Sequence, residues 1–403
     1  MSPNASPVRP VGQARAGRPA RIAVAGLFAA AVVAMGACGS RTGLFGEEPL
    51  GKLPDGSFPD GPTTDGPPDG AIACTPGRFT FELATAQLMF VLDRSGSMAF
   101  ALDGRRPDQF GNLPPGVLSR WDTLRDALFQ TITPFDNSLA MGAKFYPEEL
   151  PGDPNEPAPA DEACRTDVGV GIAPALGNAP DIINVFDTTI PVGGTPTSEA
   201  IRLAAQYLAG SRTVARTIIV ATDGAPNCNA NLDQTRCVCT SMTGNCATAP
   251  GGEYNCLDDS RTIGVVRDVF ENQKIPVYVV GIGSTERPEF LKVLDDMAVA
   301  GGRARATTPR HYNVQTSAEL KTALQSIGDS IAKCTYLTPS SPTDPNAISV
   351  EINGKVIQRD QTHANGWDWV DQAFGTLAFF GTACADASTG KPAISGVVSC
   401  KNP

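Results

Sequence analysis

An acid and two hydroxyls, Asp93, Ser95 and Ser97, occupy alternate positions directly after the apolar run Leu88-Met89-Phe90-Val91-Leu92. Carboxylate and hydroxyl oxygens gathered at one point suit a small hard cation such as Mg²⁺. The apolar run has the length and composition of a strand buried on both faces, so the three oxygens would stand where a loop leaves a sheet. Two more segments carry donors of the same kind. One is Gly193-Gly194-Thr195-Pro196-Thr197. The other, Thr222-Asp223-Gly224, follows a second buried-strand run, Thr217-Ile218-Ile219-Val220.

Strand-like and helix-like stretches alternate between these segments. Trp121, Leu124, Ala127, Leu128 and Ile132 repeat at helical spacing behind Ser119, a candidate cap. Ser138 to Phe145 reads as a strand and Ile182 to Phe186 as a short one. Pro196 suits the first turn of a helix whose buried face holds Ile201, Ala204, Ala205 and Leu208. A helix over about Asp259 to Asn272 sets Ile263, Val266 and Phe270 on one side. Ile275 to Ile282 is a strand, Phe290, Leu294 and Met297 mark a further helix, and Tyr312-Asn313-Val314 suits a sheet edge. Leu320, Leu324, Ile327 and Ile331 define a closing helix begun near Ser317. This alternation predicts an α/β fold, a doubly wound, mostly parallel sheet with helices on both faces. Such sheets gather ligands at the carboxyl ends of their strands, beside the topological switch point. Asp93 and Asp223 both lie at such ends.

Asp93-Arg94-Ser95-Gly96-Ser97, Gly193-Gly194-Thr195 and Thr222-Asp223-Gly224 resemble, in kind and in order, the three parts of the metal-ion-dependent adhesion site of von Willebrand factor type A domains. The resemblance covers about residues 84 to 333. It implies a metal site made of Asp93, Ser95, Ser97, Thr195 and Asp223. Ser95 and Ser97 would give hydroxyl oxygens, Thr195 would be a direct ligand in the high-affinity arrangement, and the two acids would act directly or through water. It implies Mg²⁺, or Mn²⁺ or Ca²⁺ in its place. It also implies a partner protein whose Glu or Asp fills the coordination position left open. The chemistry agrees: two carboxylates moderate the charge of a divalent cation, and neutral hydroxyls leave it electrophilic enough to take another anion. Thr197 stands outside the ligand set, as a cap or as a hydrogen-bond partner to a ligand. The competing reading is that these residues only shape turns and helix starts.

Catalysis finds few groups to work with. The two histidines, His311 and His363, lie outside the three segments. There is no G-x-S-x-G elbow and no G-x-x-x-x-G-K-[ST] phosphate loop. A metal-assisted hydrolase needs a base beside the metal, and no residue beyond the ligands offers one. The expectation is a binding protein and not an enzyme. The alternatives are a structural or envelope-assembly protein whose domain is not gated by ligand and, behind it, a metal-dependent hydrolase.

Residues 1–37 carry four arginines and no acid, with a 14-residue apolar stretch from Ile22 to Met35, short of the roughly 20 residues that a membrane span needs. This is the make-up of a signal peptide. Met35-Gly36-Ala37-Cys38 resembles a bacterial lipobox, which implies lipidation of Cys38 and an anchor in the cell envelope. Gly39 favours an outer membrane. Ordinary cleavage near Ala37 is the alternative. Loss of the leader would leave 28 basic residues against 42 acidic ones. With no Lys/Arg cluster, nucleic acid is not an expected partner, and the membrane would be reached through the lipid anchor only. Residues 38–73, with Pro-Asp-Gly at Pro54, Pro59 and Pro68, read as a tether with few apolar side chains to bury.

Eleven cysteines become ten without Cys38, an even number in an exported chain, which favours disulfides. Cys228, Cys237, Cys239, Cys246 and Cys256 raise zinc as the rival, but histidine and paired C-x-x-C spacing are missing. By parity these five and Cys164 would close three bridges, and Cys74, Cys334, Cys384 and Cys400 two. The expected plan is a signal peptide over 1–37, a tether over 38–73, the α/β domain over 74–333 with insertions at about 147–168 and 226–258, and a small disulfide-stapled β module over 334–403. Ile348 to Ile352 alternates ahead of Asn353-Gly354, a tight hairpin turn. Leu377 to Phe380 and Ile394 to Val398 read as further strands. Trp367 and Trp369 are taken as core and turn packing ahead of a sugar-stacking platform. A bridge at Cys334 would tie the closing helix to the module. Whether the insertions choose the partner or are merely stapled surface loops stays open.

Overall fold

Fourteen short strands and eight helices follow from this patterning in a computed structural model that describes residues 71–400, apart from 85, 150–158, 211–214, 242–243 and 284–286. The leader, Cys38 and the tether as far as residue 70 lie outside the described residues. In chain order, strands β1 (Gly77–Thr80), β2 (Glu82–Leu83) and β3 (Ala86–Asp93) precede helix α1 (Arg120–Ile132). Then come β4 (Ala140–Tyr146), the single turn α2 (Ala160–Ala163), β5 (Ile172–Ala175), α3 (Ala179–Thr188), α4 (Thr197–Ala209) and β6 (Ala215–Thr222). Helix α5 (Asp259–Glu271), β7 (Val277–Ile282), α6 (Pro288–Ala300), β8 (Tyr312–Val314) and α7 (Ser317–Cys334) complete the alternation. The last part holds β9 (Thr335–Leu337), β10 (Ile348–Ile352), β11 (Lys355–Ile357), β12 (Gly366–Asp371), β13 (Thr376–Phe380), α8 (Gly381–Ser388) and β14 (Ile394–Val398).

The central sheet has the order β5-β4-β3-β6-β7-β8, parallel except for β5 at its edge. Period-two alternation sends Leu88, Phe90 and Leu92 of β3 into a core with α1, α3 and α7, and Met89 and Val91 into a second core with α4, α5 and α6. The fold is therefore the doubly wound α/β sheet that the alternation predicts. Winding runs outward from β3 in one direction and from β6 in the other. Their adjacent carboxyl ends form the switch point.

Residues 182–186, expected as a strand, belong instead to α3. Pro180 sits in its first turn, and Ile182 and Phe186, one helical turn apart, carry its buried face. Trp121 closes on Phe186 with ring centroids 4.1 Å apart. The buried face of α5 is Thr262, Val266 and Val269, rotated by about a residue from the expected one. Burial of Thr262 is tolerated because its hydroxyl donates to the Asp258 carbonyl at 2.6 Å.

The β module does not begin at residue 334. Two four-stranded antiparallel sheets, β1-β14-β10-β11 and β12-β13-β9-β2, each take a strand from the segment ahead of the α/β domain. A β segment of that size covers little core by itself; the strands at 77–83 complete both sheets over Phe81, Val350, Trp367, Leu377 and Ile394. The α/β domain is thus inserted into the module. Its two ends leave side by side, where β2 pairs with β9 and the Ala84 amide donates to the Thr335 carbonyl at 2.9 Å. Cys74–Cys400 closes the module, and Cys334–Cys384 fastens the end of α7 to α8. Asn353 and Gly354, at φ 51° and 79°, make the hairpin turn. Trp367 is buried and donates its indole N–H to the Ile357 carbonyl, in keeping with a packing role.

Arg216 of β6 reaches from the central sheet to Asp371 of β12 at 3.4 Å, with both side chains buried. It also donates to the carbonyls of Leu208 and Gln273. Removing one partner of a buried ion pair typically costs about 3–5 kcal/mol. Arg216→Met is expected to lose stability of that order in urea unfolding, with far-UV circular dichroism of the folded state unchanged.

Candidate metal centre

Asp93 is the last residue of β3, and its side chain is fully buried. Its Oδ1 accepts the Ser95 amide at 2.8 Å and its Oδ2 accepts the Thr222 hydroxyl at 2.6 Å, so the ends of β3 and β6 lock onto one carboxylate. Ser95 precedes a single 3₁₀ turn, Gly96–Ala99, that turns Ser97 back toward Asp223. The Ser95 and Ser97 hydroxyl oxygens lie 3.1 Å apart, and Ser97 donates to Asp223 Oδ1 at 3.0 Å. The Gly96 amide donates to the Gly193 carbonyl at 3.0 Å and so draws in the middle segment. Thr195 lines the same cleft as Ser97 and Asp223. The five residues expected from the sequence therefore converge on one end of the sheet. The Thr197 hydroxyl donates to Tyr146 Oη and to the Thr195 carbonyl, both at 3.4 Å, and stays outside the cluster of acids and serines.

Charge shapes this pocket. Burial, and then the neighbouring Asp223, push the Asp93 carboxyl up to about 7, while hydrogen bonds from Thr222 and Ser95 act in the opposite direction. Arg120, the first residue of α1, forms a 2.6 Å ion pair with Asp223 Oδ2, with both side chains largely buried. Its other Nη donates to the Gly283 carbonyl at 3.2 Å. Two carboxylates and one guanidinium leave a site with one net negative charge when both acids are ionised.

The donor set fits a hard cation. Octahedral Mg²⁺ takes oxygens at 2.0–2.1 Å, which places adjacent ligands about 2.9 Å apart. The consecutive spacings Ser95 to Ser97 and Ser97 to Asp223, 3.1 and 3.0 Å, are hydrogen-bond lengths that also lie close to two edges of such a polyhedron. The rival zinc cluster does not form. Sulfurs of Cys237, Cys246 and Cys256 lie within 4.8 Å of one another, but Cys237–Cys256, Cys239–Cys246 and Cys164–Cys228 are disulfides.

Three contributors were not assigned from sequence. Thr222, next to Asp223, bonds Asp93 129 residues away in sequence. Asn227, which accepts the Thr195 amide at 2.7 Å, follows no spacing rule. Arg120 left one signal, a cation in the first turn of a helix, where the macrodipole disfavours it. Ser97, Thr195 and Asp223 line a cleft of about 1140 Å³, walled also by Phe100, Phe290 and residues of both insertions such as Ala160, Thr240 and Tyr254, while Asp93 and Ser95 are buried.

Fold and site together define a doubly wound α/β domain with an oxygen-lined cluster at its switch point, inserted into a disulfide-closed β module. No family model matches the chain, and no curated relative matches it. Among solved structures it is similar to the PilB minor pilin from Streptococcus sanguinis, with 16% identity over 62% of this chain and 62% of that one and a TM-score of 0.42. It is similar to a von Willebrand factor type A protein from Catenulispora acidiphila, with 11% identity over 82% and 63% and a TM-score of 0.37. It is also similar to the manganese-loaded TRAP protein of Plasmodium vivax, with 12% identity over 63% and 78% and a TM-score of 0.36. The chain spans less than two thirds of the length of the first two.

Arg120→Met strips the buried guanidinium from beside Asp223. In chelator this is expected to cost about 3 kcal/mol in urea unfolding. Arg120→Lys, which lacks the fork that also reaches Gly283, is expected to recover only part of the loss.

Proposed function

We propose that this chain is an exported, lipid-anchored binding protein that holds a divalent cation, Mg²⁺ or Mn²⁺ or Ca²⁺, and through it an acidic side chain of a partner protein. The single observation that carries this reading is the run of oxygens from Ser95 to Ser97 to Asp223 at close to octahedral edge spacing, with Ser97 and Asp223 lining an open cleft. Asp93 and Thr195 complete the set. The charge supports the same reading: a divalent cation added to a site of one net negative charge leaves one net positive charge, which favours an anionic ligand in the remaining position. In the resemblance to the metal-ion-dependent adhesion site, that ligand is a Glu or Asp of another protein. A binding role is preferred to a catalytic one. In support, His311 is buried against Asp295 at 2.6 Å, and His363 lies in the β module against Asp368, each engaged by a carboxylate outside the cluster.

Two experiments follow. Pull-downs from native cell envelope, with parent and Asp93→Ala protein, each in Mg²⁺ and in chelator, are expected to retain a partner only with the parent in Mg²⁺. Retention that is equal in all four arms sinks the metal-mediated reading in favour of a structural role. Cys38→Ser is expected to shift the protein from the membrane fraction to the soluble fraction of exported proteins.

A further inference from the structure

The loop that presents Thr195 is bonded to the turn after β3 at Val192 and Gly193, and the two glycines that precede the threonine leave its backbone free to turn. The two insertions hold it from outside. Gly193 has φ of 90°, and a Cβ there would lie 2.7 Å from the Ala163 carbonyl oxygen. The Gly194 amide donates to that same carbonyl at 2.8 Å. A Cβ on Gly194 would lie 2.6 Å from Cys228 Sγ and 3.0 Å from Cys164 Sγ, so the loop rests directly on the Cys164–Cys228 disulfide. Thr195 is then gripped at both backbone groups by one residue. Its amide donates to Asn227 Oδ1 at 2.7 Å, and its carbonyl accepts the Asn227 amide at 3.0 Å. Asn227 Nδ2 donates to Thr240 at 3.0 Å, and Thr240 donates to the Asn255 carbonyl at 2.8 Å, inside the second insertion. Cys228 itself adopts φ of 71°, the left-handed region that a non-glycine residue rarely occupies unless its surroundings impose it.

We infer that the two insertions form a collar that presets Thr195 as a metal ligand, with Asn227 and the Cys164–Cys228 bridge as its positioning elements. Divalent-cation affinity is thus set partly from outside the α/β fold. The inference rests on the metal reading proposed above. Because the same insertions wall the cleft, a partner that touches them is linked to the metal: whatever shifts the collar changes cation affinity, and the cation changes partner affinity by the same factor.

The test compares Asn227→Ala and the double variant Cys164→Ser with Cys228→Ser against the parent. Cys74→Ser with Cys400→Ser, which opens a bridge remote from the cleft, serves as control. Mn²⁺ affinity is read from the electron paramagnetic resonance signal of the free ion, folding from the thermal melt, and the clamp itself from hydrogen exchange at the Thr195 amide in chelator. Loss of a partner that orients a metal ligand typically weakens binding by 10–100-fold. Both collar variants are therefore expected to bind Mn²⁺ about tenfold more weakly or worse and to exchange Thr195 faster, while the control stays within about twofold of the parent. Should the bridge variant fail to fold, Asn227→Ala decides alone. Folded collar variants that bind Mn²⁺ as the parent does overturn the collar and leave the metal reading standing. A parent that binds no Mn²⁺, with Asp93→Ala indistinguishable from it, overturns the metal reading and the inference with it.

Discussion

Two carboxylates, Asp93 and Asp223, face each other where the winding of a parallel sheet changes direction, almost wholly out of water. Burial and the neighbouring Asp223 charge raise the Asp93 carboxyl, and such a pair opposes folding unless something offsets it. Much of the local structure does this. Thr222 and the Ser95 amide bond one acid; Ser97 and Arg120 bond the other. Helix α1 begins with the arginine that this site requires, despite the unfavourable end of its own dipole. A resident divalent cation would add to the same balance.

The collar and the sheet divide the task of holding the cluster. Rigid strand ends supply Asp93, Asp223 and, through one tight turn, the two serines. The remaining donor, Thr195, stands on a glycine-led loop and depends on segments that lie outside the α/β fold and are braced by disulfides. Sites built on regular elements are placed more accurately than sites built on loops, and here the loop donor is the one that receives extra bracing.

Much of this was legible in the chain. Buried strands declared themselves as apolar runs, helices as three-to-four-residue periodicity, and the site as oxygen donors at strand ends. Local periodicity failed where tertiary context decided. The five residues Ile182 to Phe186 are too few to separate a strand from a helical turn, and only the packing of Phe186 on Trp121 resolves them. The module boundary failed because strand pairing across the whole chain length, Gly77 with Val398, leaves no trace in either segment alone. Arg120 and Asn227 were hidden for the same reason: their partners lie 103 and 32 residues away in sequence.

Insertion of one domain into another also decides how load travels. The two connections of the α/β domain, the stretch after β2 and the turn into β9, leave side by side next to the Cys334–Cys384 bridge. Ahead of β1, Cys74 is bonded to Cys400. In the lipid-anchored binding reading proposed above, a pull delivered through the residues before Cys74 and resisted at the cleft would be taken first by the disulfide and the antiparallel sheets of the module. The two covalent connections to the α/β domain are adjacent, and further contacts such as Arg216 with Asp371 and His363 with the Gly302 carbonyl also join it to the module. The covalent connections lie beside the amino end of β3 and the cleft lies at the carboxyl ends of β3 and β6, so between the two the load would run along the strands of the central sheet.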